Sequence, residues 1–304
     1  MHPPAHIFEQ IVSKPRLDSY RGYWKVDPEA AVGLYMWNGE VCAEVSKLLC
    51  YLEISLRNSL HRELSLSTSV GVSSSVHWWD TLSASLKPAT TRQVAEVRGG
   101  ASGVILSPDE IVSRLSFGFW PNMLSWVAKQ MPALMQKILP AHPLSQVGAV
   151  PSWWQAAARQ HALSEIFELK EVRNRIAHHE PLWKFSDVLD TSPRQPAPPI
   201  LVCPASTDEA TTIQRFARLL RLYDQVVSSL SPDLHNYIRV SSWRTRLDFL
   251  LSPRGVGRYK NGFHVAEPVA INPVDLGGQF AALVQRNRPV QLLDPNGRGI
   301  FIPG

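Results

Sequence analysis

The residues best suited to catalytic chemistry lie in one stretch, residues 169–183, with the sequence LKEVRNRIAHHEPLW. Its apolar positions repeat at helical spacing, at Leu169, Val172 and Ile176. Arg173 falls within about 40° of Leu169 on the same helical face, so a guanidinium lies inside an apolar stripe. His178 and His179 follow at the end of this helix, because Pro181 prevents it from continuing. A buried, unpaired guanidinium costs several kcal/mol, so Arg173 needs a partner elsewhere in the chain.

An arginine, a polar residue and a helix-terminal histidine suit cleavage of an RNA phosphodiester without a metal. Attack by the ribose 2′-OH needs an acid or base that titrates near neutral pH, which is the range of histidine. The extra negative charge on phosphorus needs a cation, and Arg173 offers two parallel donors. A helix C-terminus favours a protonated imidazole, which suits His178 as the acid that protonates the leaving oxygen. The alternative is structural: Arg173 and Asn174 cap or pair locally, and both histidines are surface residues.

Other familiar chemistry is absent from the sequence. It has no phosphate-binding glycine loop, no HExxH zinc motif and no GxSxG nucleophile elbow. His178 and His179 are adjacent, so on a helix they point about 100° apart and make a poor pair of metal ligands. The sequence therefore predicts no cofactor and no metal.

The partner expected for Arg173 lies on the longest helical pattern, residues 30–64. One face of this pattern is apolar over eight positions, namely Val41, Val45, Leu48, Leu49, Leu52, Leu56, Leu60 and Leu64. Glu53 lies on the same face, and Arg57 one turn later can pair with it. A pair across two helices between Glu53 and Arg173 would satisfy both charges.

Composition is that of a soluble protein. The chain has 304 residues, of which 44% are hydrophobic and 19% charged, and no apolar run approaches the roughly 18 residues of a membrane span. The N-terminus lacks the pattern of a secretory signal. Cys42, Cys50 and Cys203 are odd in number and lack metal-site or redox spacing, so we interpret them as buried and the protein as cytoplasmic, without membrane partners.

The patterns predict a mainly α fold in three parts. The pattern predicts an irregular arm with short helical pieces over residues 1–30, a helical bundle over residues 31–250, and a basic extension with short strands over residues 251–304. From Arg244 onward eight basic residues stand against four acidic ones, which accounts for most of the net charge of +5. A basic segment of this kind favours an anionic partner. The alternative is that it forms a slightly basic, solvated surface. A DNA-binding regulator is the weaker interpretation, because no helix-turn-helix signature is present.

Two pairs of tryptophans leave a further choice open. Trp78-Trp79 and Trp153-Trp154 could stack on nucleic-acid bases. Packing in the core or at a dimer contact is the interpretation we favour.

Four segments together resemble the Abi-like (abortive infection) branch of the HEPN superfamily, over roughly residues 15–230. They are LYMWN at 34–38, LEISLRNSLHREL at 52–64, LSFGFW at 115–120 and VRNRIAHHEPLW at 172–183. The family's R-x(4–6)-H motif maps onto Arg173 and His178, with His179 also within the allowed spacing and Asn174 as its polar residue. Its acidic position maps onto Glu53, and Arg57 and Asn58 lie beside it as supporting residues.

This resemblance implies a HEPN-type helical bundle that dimerises, so that two copies of the motif form one composite site. It also implies metal-independent cleavage of tRNA or mRNA in phage defence or as a toxin, with an antitoxin protein or RNA as a further partner. In that mechanism Arg173 stabilises the transition state, His178 is the general acid or base assisted by His179, and Asn174 orients the phosphate. The alternative is a non-catalytic HEPN module that binds RNA or protein and uses the motif for its dimer contact.

Overall fold

The computed structural model describes residues 4–100, 104–146, 148, 152–190, 200–262, 267–270, 276–285, 290–294 and 297–301. Over these residues the chain is mainly helical, as the sequence predicts. The helices are α1 Ala5–Val12, α2 Lys14–Trp24, α3 Pro28–Thr68, α4 Trp78–Thr81, α5 Pro88–Gly99, α6 Pro108–Arg114, α7 Phe119–Gln130, α8 Pro132–Ile138, α9 Ala156–Ala177, α10 Glu209–Leu230, α11 Pro232–Arg239, α12 Ser242–Leu250, α13 Pro253–Lys260 and α14 Leu276–Gln285, with a 3-10 turn at Pro143–Ser145. The strands are β1 Val188–Asp190, β2 Ile200–Cys203, β3 Glu267–Ala270, β4 Val290–Asp294 and β5 Gly297–Phe301.

Helix α3 is the axis of the fold. Its 41 residues span about 62 Å at 1.5 Å per residue. The Asp27 side chain caps its start by accepting a hydrogen bond from the Ala30 backbone at 2.7 Å. All eight positions of the predicted apolar face are at most 4% exposed, which confirms that pattern. Because the helix is buried along nearly its whole length, helices from both halves of the chain can pack around it.

The helical body is larger than the sequence pattern indicated. Helix α2 packs against α3, so part of residues 1–30 belongs to this body. Helix α13 also packs against α3, within residues that we assigned to a strand-containing extension. Both helices are short, so their few apolar positions give a weak periodic signal, and their place in the body depends on contacts distant in sequence.

Two small sheets lie outside the bundle. Strands β1 and β2 pair antiparallel, whereas β4 pairs parallel with β3 and antiparallel with β5. The strands at β3, β4 and β5 agree with the short strands expected in the extension. Within the part of the chain that the structure describes, no helix is long and apolar enough to span a bilayer.

Cysteines and tryptophans divide between core and surface. Cys50 is exposed and Cys42 and Cys203 are partly exposed, so the expectation that all three are buried is wrong. Three of the four paired tryptophans, Trp78, Trp79 and Trp153, are in the core, whereas Trp154 is 67% exposed. Packing therefore accounts for three of the paired indoles and leaves one in solvent.

Three of the basic residues from Arg244 onward pair with carboxylates on other helices. Arg244 is 7% exposed and forms a bidentate ion pair with Asp224 at 2.8 and 3.1 Å. Arg246 pairs with Glu40, and Lys260 lies 3.6 Å from Glu209. Of these three cations, therefore, Arg244 is satisfied within the fold, whereas the pairs made by Arg246 and Lys260 lie at the surface.

Candidate active site at the end of helix α9

Helix α9 ends at Ala177, just before the two histidines, as Pro181 requires. The end is closed by two backbone hydrogen bonds, from His179 N–H to the Ile176 carbonyl at 3.0 Å and from Glu180 N–H to the Arg175 carbonyl at 2.9 Å. This pair of bonds is a Schellman motif, in which the residue after the cap adopts a left-handed conformation.

His179 occupies that left-handed position, with φ = 55°. Glycine is the usual residue there, because a Cβ in this conformation costs about 1–2 kcal/mol. The chain therefore holds an imidazole where the backbone favours glycine. Such strain concentrates at functional sites, so His179 is a stronger candidate than its sequence position alone indicates.

Arg175 fixes the segment that follows the helix, a role that the sequence did not reveal. Its guanidinium donates to the carbonyls of Pro181 and Lys184, the latter at 2.9 Å, and lies 3.6 Å from the Glu180 carboxylate. Burial lowers the pKa of Arg175, and the charge of Glu180 partly offsets this effect. Arg175 therefore stabilises the turn that presents the histidines.

The last residues of the motif are held by α2 and α3. Asn38 accepts a hydrogen bond from the Leu182 backbone N–H at 2.9 Å, in a buried position. The Trp183 ring, 1% exposed, packs 5.0 Å from Tyr20 and 4.4 Å from Tyr23. The LYMWN segment and the L-W end of the motif thus meet in space, and both act there as structural elements.

Arg173 faces α3, where it belongs to a half-buried charge cluster with Glu53 and Arg57. Burial raises the pKa of Glu53, while the charges of Arg173 and then Arg57 lower it. No direct ion pair joins Glu53 to Arg173 in the described part of the chain, so their interaction acts over a longer distance than the contact we expected. The Arg57 Nε is buried without a hydrogen-bond acceptor among the described residues. Two guanidiniums around one carboxylate leave this cluster with excess positive charge and an unused donor.

Arg173 and His178 lie on different sides of the helix end. Five residues of helix rise about 7.5 Å and turn through about 500°, which places the two side chains about 140° apart. Arg173 is half-buried toward α3, whereas His178 and His179 are exposed. Asn174, which follows Arg173 on α9, is half-buried. Asn58 on α3 is exposed. Helix geometry therefore directs Arg173 and His178 to different sides of α9 within one chain.

A groove of about 380 Å³ opens beside His179. It is bounded by α2 and α3, through Arg16, Tyr20 and Ser46 among others, and by Ile176 at the end of α9. His179 is thus accessible from a concave surface that contains a further cation. Among the described residues, no cluster of three or more His, Cys, Asp or Glu side chains is arranged to hold a metal ion.

No model of a known protein family, no curated protein and no solved structure matches this chain. The chemistry of the site therefore follows from its own geometry. Two imidazoles in solvent can donate or accept protons, and the Arg173 cluster can attract a phosphate.

Two residues that position the site were missed in the sequence. Asn38 stands in a segment noted for its resemblance, but a lone asparagine on a helix carries no local sign of a partner 144 residues away. Arg175 lies between two residues of the motif, and only the turn after Ala177 brings carbonyl acceptors within its reach. The R-N-R sequence was the one available signal.

Proposed function

We propose that this protein is a metal-independent endoribonuclease of the Abi-like HEPN type, which cleaves RNA through an arginine and histidine site shared between two copies of the chain. The observation that carries the proposal is the strained His179, held with the exposed His178 at the end of the same helix that carries Arg173. The backbone hydrogen bond that His179 donates to Ile176 would form equally well with glycine, so this bond does not require an imidazole at the position.

In this mechanism the imidazoles move protons and the guanidinium binds charge. His178 protonates the leaving 5′-oxygen or accepts the proton of the attacking 2′-OH, and His179 assists. Arg173 stabilises the extra negative charge on phosphorus. Glu53 holds Arg173 by charge, while Arg57 supplies the second cation of the cluster. Asn174 orients the phosphate between them.

The divergence of Arg173 and His178 supports a site formed by two chains. In a twofold dimer each surface meets its own copy, so the arginine of one chain can approach the histidine of the other. We propose a cytoplasmic homodimer that acts on tRNA or mRNA in phage defence or as a toxin, with an antitoxin as its natural inhibitor.

The first test is cleavage of total RNA by the purified protein, with and without EDTA. We expect cleavage in both conditions, and its loss in the double variant His178→Ala, His179→Ala. A requirement for divalent metal, or cleavage by the double variant, would contradict the mechanism.

A mixing experiment tests the shared site. Arg173→Ala and His178→Ala are each expected to be inactive, whereas a refolded mixture regains about a quarter of wild-type activity. Half of the dimers are then mixed, and each of these keeps intact one of the two Arg173–His178 pairs that form the composite site. No recovery, despite exchange of subunits shown by mass spectrometry, would place both groups in one chain or outside the site.

A non-catalytic HEPN module that binds RNA or protein is the second candidate. It is favoured by the structural roles of Asn38 and Trp183, which show that part of the motif serves the fold. On this alternative Arg173→Ala lowers the melting temperature or abolishes dimerisation. On the ribonuclease proposal the variant elutes and melts like the wild type and loses only cleavage.

A further inference from the structure

A groove between α7 and α9 lies on the flank of α9 that leads to Asn174 and His178. Its volume is about 450 Å³, and its lining includes Ser125 and Lys129 from α7 and Arg159, Ser164 and Phe167 from α9. Lys129 and Ser164 are exposed, and the other three side chains are partly exposed. We refer to it as the α7–α9 groove.

The charge of this groove is positive. Lys129 and Arg159 line it, and no carboxylate does. The adjoining face of α9 is different. A cavity of about 420 Å³ there shares Gln160, Ser164 and Phe167 with the groove, and it is also lined by four carboxylates, Glu165, Glu168, Glu171 and Asp187, and by Arg218, which pairs with Glu168. The lining thus changes from cationic to mainly acidic between adjoining faces of α9, so an anionic chain that reaches the end of this helix is favoured on the side facing α7.

A row of side chains connects the groove to the motif. Phe167, Lys170, Asn174 and His178 follow one another at intervals of three or four residues along α9. Lys170 extends toward Gly118, the residue before α7. A Cβ added to Gly118 would lie 3.6 Å from the Cε of Lys170. Its ammonium is 5.7 Å from the centre of the Phe167 ring and 3.4 Å from the Glu171 carboxylate. From Arg159 to Asn174 the path is about 22 Å long.

An exposed indole stands at the far end of this path. Trp154 is 67% exposed and precedes by two residues Ala156, which also lines the groove. Its neighbour Trp153 is 1% exposed and donates a hydrogen bond to Ser145 at 2.8 Å. Aromatic rings beside cations are the surface on which unpaired bases stack while their phosphates are neutralised.

We propose that the α7–α9 groove binds single-stranded RNA on one side of the cleaved bond. Lys129, Arg159 and Lys170 contact successive phosphates, and Trp154 stacks on a base at the far end. The choice of RNA as the ligand rests on the proposed function, whereas the choice of a single strand rests on the groove, since stacking requires bases free of a complementary strand.

The test measures binding of a fluorescein-labelled 15-nucleotide 2′-O-methyl oligouridine by fluorescence anisotropy. The 2′-O-methyl group removes the attacking hydroxyl, so binding is measured without cleavage. We expect the double variant Lys129→Glu, Arg159→Glu to raise the Kd at least about tenfold. The slope of log affinity against log salt should fall by about 1.4, the value for two phosphate contacts on a single strand.

The matched control is the double variant Lys137→Glu, Arg221→Glu. Both residues are exposed and lie on α8 and α10, outside the lining of the groove, and the change of net charge is the same. We expect this control to bind within about twofold of the wild type. Trp154→Ala should raise the Kd about fivefold or more without changing the salt slope, because it removes stacking and no charge.

Equal weakening by the two double variants would overturn the proposal, since it would reflect net charge alone. An unchanged Kd in the groove variant, or tighter binding of a duplex of the same length, would overturn it as well. If the double variant fails to fold, Lys129→Glu alone should lower the salt slope by about 0.7.

The outcome is separable from that of the proposed function. Cleavage that depends on His178 and His179, without any effect of the groove variants on binding, removes the groove and keeps the ribonuclease. Binding that depends on the groove, by a chain that cuts no RNA, would keep the groove proposal and contradict the ribonuclease proposal.

Discussion

His179→Gly should separate the function of this residue from the stability of the fold. The left-handed conformation of His179, at φ = 55°, costs about 1–2 kcal/mol for a residue with a Cβ. His179→Gly removes this cost. The variant also loses about 0.4–1 kcal/mol of folding stability, because glycine gives the unfolded chain more conformational freedom. The difference is a stabilisation of about 0.5–1 kcal/mol. In a chain of this size that corresponds to a rise in Tm of about 1–3 °C.

His179→Ala is the matched comparison, because it removes the same imidazole and keeps the Cβ. The two variants should lose RNA cleavage equally, while alanine melts lower than glycine by the equivalent of about 1 kcal/mol. Differential scanning fluorimetry gives the melting temperatures, and a gel assay on total RNA gives the cleavage.

Val70→Gly serves as a control for backbone strain away from the site. Val70 also has a positive φ, of 53°, and is 91% exposed. This variant should raise the Tm and leave cleavage unchanged. Wild-type cleavage by His179→Gly would refute a role for this imidazole, and a lower Tm for glycine than for alanine would refute the strain argument.

Three further predictions concern Glu53 and Asn38, which support the site, and His142, a buried histidine elsewhere in the fold. Glu53→Gln should change the Tm by no more than about 3 °C, because burial already opposes the charge of Glu53. It should reduce cleavage, because Arg173 is no longer held by that charge. Normal cleavage with a normal Tm would contradict a role for Glu53 in the site. Burial lowers the pKa of His142 to about 4, so the unfolded chain binds a proton at this residue before the folded chain does as the pH falls. The contribution of His142 to the free energy of unfolding is therefore complete above about pH 6.5 and decreases by roughly 3 kcal/mol toward pH 4. The Tm of His142→Gln should depend less steeply on pH over this range. Asn38→Ala should cost about 1–3 kcal/mol in urea unfolding, because the buried Leu182 N–H loses its acceptor; a smaller loss would indicate that another group replaces it.

The helices that carry the site were largely predictable from local pattern. Apolar residues recur at each helical turn of the α3 sequence without interruption. The helix extends over Pro28–Thr68. Helix α10 begins after the Asp208 cap and ends at Leu230, and its apolar positions Phe216, Leu220 and Tyr223 repeat at helical spacing. Pro181 indicated the end of α9. These signals connect residues only a few positions apart, so they survive without knowledge of the fold.

Contacts distant in sequence were decided by the tertiary structure. Asn38 binds Leu182 across 144 residues, and α13 joins the bundle through its packing on α3. Similarly, Trp153 and Trp154 are identical in type and adjacent, yet one is 1% and the other 67% exposed. Composition and periodicity cannot distinguish such cases, because burial depends on which elements arrive from elsewhere in the chain.

The sequence by itself determined that an arginine and two histidines stand at the end of a helix, and that Glu53 lies on the apolar face of α3. Tertiary structure decided that Arg173 turns toward α3 while the histidines remain in solvent, and that His179 takes the left-handed position. The physical reason is that helix periodicity fixes directions around one axis. Only the packing of α9 against its neighbours, and the turn that ends it, fix what lies in each direction.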